Sequence, residues 1–148
     1  MGFSVSGSTV VLFLGIFISF GVAYSAANNG FERVNEAYEE NADGELVRQN
    51  TEIDIADAAV ANEGGEAYLN VAVDNNGSTT LSVNDTDILI DGNYTPQTSQ
   101  KMVTVEVDGN SETDLWLPGE TLQFNVSVTD PDRVKVVTGP GVATAEVI

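Results

Sequence analysis

The chain changes its hydrophobic rhythm once, and the change divides it. No charged residue occurs before Glu32, and Phe3 to Ala27 is largely apolar, densest where Val10, Val11, Leu12, Phe13, Leu14, Ile16, Phe17, Ile18 and Phe20 stand. A helix over these 25 residues would be about 37 Å long, enough to cross a hydrocarbon core of about 30 Å with some tilt. Residues 1–30 therefore read as a transmembrane helix that anchors the chain in the lipid bilayer. A cleaved signal peptide, cut after Ala26 or Ala27, is the other reading, but it calls for a basic start that the sequence lacks. Beyond the span, Phe31, Val34 and Tyr38 fall at i, i+3 and i+7, while Glu32, Glu36, Glu39 and Glu40 face water. The pattern predicts a helix continuing to about Asn41, a stop at Asp43-Gly44 and a polar connector from Glu45 to Asn50, so that 31–50 forms a stalk. Its apolar stripe either lies against the chain's own domain or forms a self-association seam.

Downstream the period falls to two. Ile53 and Ile55, then Leu69, Val71 and Val73, then Val103, Val105 and Val107, then Leu122, Phe124, Val126 and Val128 each alternate with polar or small residues, the signature of half-buried strands. Shorter strands are expected at Thr80 to Val83, Ile88 to Ile90, Val134 to Val137 and Val142 to Val147. Turn signals separate them, among them Glu63-Gly64-Gly65, Asp91-Gly92-Asn93 and Asp108-Gly109-Asn110. Seven or eight short strands with no helix between them predict a mainly β fold, an antiparallel β-sandwich over residues 51–148. Trp116 and Leu117, just before a Pro-Gly turn, are placed to plug one end of its core; stacking of Trp116 on a carbohydrate is the alternative.

Charge narrows the function classes. The 148 residues include 23 acidic and 5 basic side chains, a net charge of -18, and neither Cys nor His. Phosphate backbones would be repelled, so nucleic acid is not an expected partner. Disulfides, Cys nucleophiles, Ser-His-Asp triads and the usual transition-metal ligand sets are closed to the chain. Self-repulsion on this scale destabilises a compact domain at ordinary ionic strength, whereas molar salt shortens the Debye length to about 3 Å, so the composition points to a halophile. Basic residues say little about orientation, since Arg33 and Arg48 both follow the span. The acidic stalk and the long polar domain predict a short N-terminal tail inside and the β domain outside the cell.

Four Asn-x-Ser/Thr sequons begin at Asn76, Asn84, Asn93 and Asn125; alternation puts Asn84 and Asn125 on outer faces, and Asn76 and Asn93 fall in turns, so all four are expected to be accessible for N-glycosylation. The carboxylate runs Asp85, Asp87, Asp91 and Asp130, Asp132 could offer oxygens to Ca²⁺, yet neither has the Gly and Glu spacing of an EF-hand loop, and an acidic surface generates such runs freely. No carboxylate pair stands out as a catalytic acid and its partner. Neither an enzyme, a cofactor nor a metal site is expected.

The uncharged start MGFSVSGS leading into the span, the stalk Phe31-Glu-Arg-Val, the stretch Gln49-Asn-Thr-Glu-Ile53, the segment Asn76-Gly-Ser-Thr-Thr-Leu-Ser-Val-Asn-Asp-Thr-Asp87 and the run Leu115-Trp-Leu-Pro-Gly-Glu120 together resemble the archaellar stator proteins of the FlaF/FlaG family in their haloarchaeal form, the F member more closely. The resemblance spans the whole chain and rests on the order of anchor, stalk and sandwich more than on any single motif. It implies an immunoglobulin-like domain between membrane and surface layer, forming a homodimer. It further implies that the domain binds the surface-layer glycoprotein and, with a partner stator of the FlaG type, holds the archaellum motor against its own torque. For such contacts the strand Val142, Ala143, Thr144, Ala145, Glu146, Val147 and Ile148 is the candidate edge, because it ends the chain and carries one charge; an inner strand is the competing placement. Two other classes share the layout: a filament subunit of the archaeal pilin or archaellin type, whose precursors carry a basic, Gly-terminated leader, and a membrane-tethered adhesion module without a motor.

Overall fold

The computed structural model describes residues 3–148; Met1 and Gly2 of the predicted anchor lie outside them. The chain forms two compact units, Met1–Asp43 and Gly44–Ile148. Helix α1 covers Phe3–Gln49 and supplies all of the first unit that is described and the entry to the second. It overruns the predicted stop near Asn41: Asp43-Gly44 is no turn, and Glu45 to Gln49 is helical. A glycine inside a helix costs only about 1 kcal/mol, and one local and one tertiary hydrogen bond to the last turn offset it. The Val47 carbonyl, one of the acceptors that a helix end leaves unpaired, receives the Thr51 hydroxyl at 2.7 Å and the Thr79 hydroxyl at 3.4 Å. Arg48 in that turn complements the negative end of the helix dipole.

Ten strands follow: β1 (Ile53–Glu63), β2 (Glu66–Asn75), β3 (Leu81–Ser82), β4 (Asp87–Ile90), β5 (Asn93–Tyr94), β6 (Met102–Val107), β7 (Leu115–Trp116), β8 (Thr121–Val128), β9 (Arg133–Val137) and β10 (Ala143–Val147). One sheet has the order β1-β2-β8-β6, the second β10-β9-β4-β5, and β3 pairs with β7; every strand pairing is antiparallel. With the short β3–β7 pair set aside, these are the A-B-E-D and G-F-C-C′ sheets of the immunoglobulin sandwich. Both contribute to one core: Leu69, Val71, Val73, Leu122, Phe124 and Val126 from the first, Ile88, Val134 and Val136 from the second.

Turn chemistry sets the register. Asp91-Gly92 and Asp108-Gly109 both take positive φ, 51° and 78° in one and 47° and 82° in the other, the conformation of the two-residue turns that match strand twist. Trp116 is fully buried, its Nε1 donating to the Glu120 carbonyl at 2.9 Å, which makes it a core plug and removes it from any carbohydrate-stacking role. Leu117 is 42% exposed and takes no part in that plug. Alternation fails in β6, where the register shifts between Met102 and Thr104. The bulge turns Met102 toward the core and leaves Val103 exposed, with Val107 buried. The predicted strand Thr80 to Val83 shrinks to two residues, although Leu81 and Val83 are both buried.

Candidate membrane anchor and binding edges

The anchor residues Val10, Val11, Leu12, Phe13, Leu14, Ile16, Phe17, Ile18 and Phe20 lie together on α1, each at least half exposed. The helix is long and apolar enough to cross a membrane, with a mean hydropathy of 2.2 in its most apolar window. Apolar side chains around the whole circumference of a helix call for lipid or protein in place of water.

Where α1 ends, the sandwich holds it. Asn50 donates from its backbone to the Leu46 carbonyl at 3.0 Å and accepts from the Ser78 N–H at 2.8 Å. The Glu52 carbonyl accepts from the N–H groups of Asn76 and Gly77. Gly77 is required by this approach: a Cβ there would stand 2.5 Å from the Asn50 carbonyl oxygen and 2.6 Å from the Glu52 nitrogen. Beneath it, the fully buried Asn75 side chain donates to the Thr79 and Trp116 carbonyls and accepts from the Gly77 N–H. This junction was missed by periodicity, because it is made of short polar residues; the glycine between two polar loop residues was its one visible sign.

Sheet edges are the surfaces best suited to binding another chain. The predicted edge is placed at an edge: β10 is hydrogen-bonded to β9 alone, in register from Ala143↔Val137 to Val147↔Arg133. Ala143, Glu146 and Val147 are exposed, Val147 by 76%, and Thr144 and Ala145 are half-buried. Val142 and Ile148, at the two ends, pack against the core. The other edges carry features that disfavour strand addition, although β1 is free of charge and bulge from Ala58 to Asn62. β1 carries a bulge between Ile55 and Asp57 with carboxylates at Asp54 and Asp57, β6 carries its own bulge, and β5 is two residues long.

The four sequons differ in their surroundings. Asn76, Asn84 and Asn93 are exposed, but Thr86 and Thr95, the hydroxyl residues of the second and third, are buried. Asn125, expected to be as accessible as the rest, is half-buried in the middle of β8. Its Nδ2, the atom a glycan would take, donates to Asn70 Oδ1 at 2.6 Å. Asn76-Gly77-Ser78 alone presents both Asn and hydroxyl residue to solvent.

Of the carboxylate runs, Asp91 has a structural role. Asp91 Oδ1 accepts from the N–H groups of Asp132 and Arg133, tying the β4–β5 turn to the start of β9. Among the described residues no three His, Cys, Asp or Glu side chains gather as a metal site.

No family model matches the chain, and no curated protein matches it. Among solved structures it is similar to the human cytomegalovirus protein US2, in a crystal structure of US2 bound to the MHC class I molecule HLA-A2/tax. The identity is 17% and the TM-score 0.34, over 65% of this chain and 96% of that one. Likeness at this level carries no argument, and the immunoglobulin-like assignment rests on the strand order.

Proposed function

We propose that the protein is a membrane-anchored stator component of the archaellum, of the FlaF/FlaG type, with its sandwich outside the cell and bound to the surface-layer glycoprotein. The observation that carries the reading is mechanical. The apolar helix runs unbroken into a last turn that the sandwich holds by backbone and hydroxyl hydrogen bonds around Val47, Asn50 and Glu52. An ordered helix end at the foot of the domain suits a load-bearing role, where a flexible linker would absorb force. The β10 edge offers strand addition to a protein partner or to a second copy, and the acidic surface suits a salty exterior. Lipid holds one end, protein the other.

Crosslinking in native membranes at high salt, followed by recovery of the full chain, tests the reading. Surface-layer glycoprotein or archaellum motor components should be recovered with it. Recovery of neither would leave a tethered adhesion module. A filament subunit, favoured by the same long exposed helix, would instead be found in sheared filaments with a processed hydrophobic N-terminus.

A further inference from the structure

From the last turns of the membrane span to the foot of the sandwich, α1 carries a heptad repeat. Tyr24, Phe31 and Tyr38 recur every seven residues, and Ala27, Val34 and Asn41 recur between them, giving the a and d positions of a left-handed coiled coil. Phe31 and Tyr38 are each 72% exposed and Val34 50%. Beyond the bilayer such a stripe faces water, where burying it is favourable.

The charges say what covers it. Glu32, Arg33, Glu36, Glu39, Glu40 and Asp43 are the charged residues between Tyr24 and Gly44, and every one falls at b, c or f, on the side away from the stripe. The flanking e and g positions are Asn28, Gly30, Asn35, Ala37, Ala42 and Gly44, all uncharged and mostly small. In coiled coils e and g charges choose the partner. With those positions neutral, two copies of one acidic chain can meet there without like-charge contact, and a partner chosen by charge would find nothing at e or g to pair with. Val34, Ala37, Tyr38 and Asn41, with Arg33 at the rim, also line a groove of about 230 Å³. They are the d, g, a and d residues that together form the hole for an a-position knob.

We infer that two copies of this chain pair in parallel through the Phe31–Val34–Tyr38 seam. Copies inserted the same way in one membrane are already parallel, and confinement to the bilayer raises their effective concentration, so two heptads suffice where a free peptide of this length would not pair. The stator resemblance already implies a homodimer; what the heptad pattern adds is the surface that joins the copies, the stalk seam and not the β10 edge.

The chain has no cysteine, so single introduced thiols report on it directly. In native membranes at high salt, oxidation of Phe31→Cys, Val34→Cys and Tyr38→Cys full-length chains should give a disulfide dimer. Glu32→Cys, Glu36→Cys and Glu39→Cys should give little. Adding Val34→Glu to the Tyr38→Cys chain should remove the dimer band while the thermal transition of the sandwich stays in place, and adding Ala143→Lys and Val147→Lys should leave the band intact. Equal dimer at all six positions, no dimer at any, or an adduct with the mass of a different protein would each overturn the pairing.

Discussion

At the scale of single residues, short polar side chains in the sandwich act as structural parts. Trp116 is the largest fully buried side chain, and Trp116→Ala should cost about 3–5 kcal/mol. At roughly 4–8 °C per kcal/mol for a domain this size, thermal denaturation should show a fall well above 10 °C. A smaller change would mean that the end of the sandwich collapses around the gap. Asn75 carried no signal in the sequence beyond its place in a turn cluster, since a buried amide is defined by carbonyls brought from distant segments. The sequons were legible as motifs, but their accessibility was not. Alternation put Asn125 on an outer face correctly and could not show Asn70 across the strand taking its amide. If the native protein is glycosylated after folding, glycopeptide mapping should find sugar at Asn76 and none at Asn125; the reverse pattern would contradict the geometry.

At the scale of elements, most strands were visible because turn chemistry and period two agree. Asp91-Gly92 and Asp108-Gly109 announced their turns, and Leu122 to Val128 announced β8. The misses share a cause. Gly44 looked like a stop, and Val103 looked like a core residue, because local propensity was overruled by tertiary hydrogen bonds in one case and by a bulge in the other. Two glycine substitutions separate the effects. A Cβ at Gly44 meets nothing within 4 Å, so Gly44→Ala should stabilise the end of α1 by about 1 kcal/mol, seen as slower amide exchange from Glu45 to Gln49. Gly77→Ala forces backbone apart at Asn50 and Glu52, and should speed exchange over the same residues. Slower exchange in both variants would show that the junction does not hold the helix. For β10, truncating residues 142–148 would also remove Val142 and Ile148 from the core. The cleaner probe is Ala143→Lys with Val147→Lys, which charges the exposed edge. It should abolish capture of the surface-layer glycoprotein with the melting temperature nearly unchanged; undiminished capture would exclude this edge.

At the scale of the whole molecule, the division into an apolar helix and a β-sandwich was legible from the change of period alone, and the strand order, which no local pattern encodes, came from the structure. The net charge of -18 belongs to the whole chain and to no single segment. That charge should make stability depend on salt. Raising KCl from 0.1 M to 2 M shortens the Debye length from about 10 Å to below 3 Å. A gain of about 2 kcal/mol would then lift the melting temperature by roughly 8–16 °C. A melting temperature that is flat or falls with salt would remove the argument for a saline exterior. The proposed role depends above all on which side of the membrane the sandwich occupies. The direct measurement is protease treatment of intact cells carrying the chain with a C-terminal tag: the account predicts loss of the tag while a cytoplasmic marker survives, and a tag protected until the cells are lysed would contradict it.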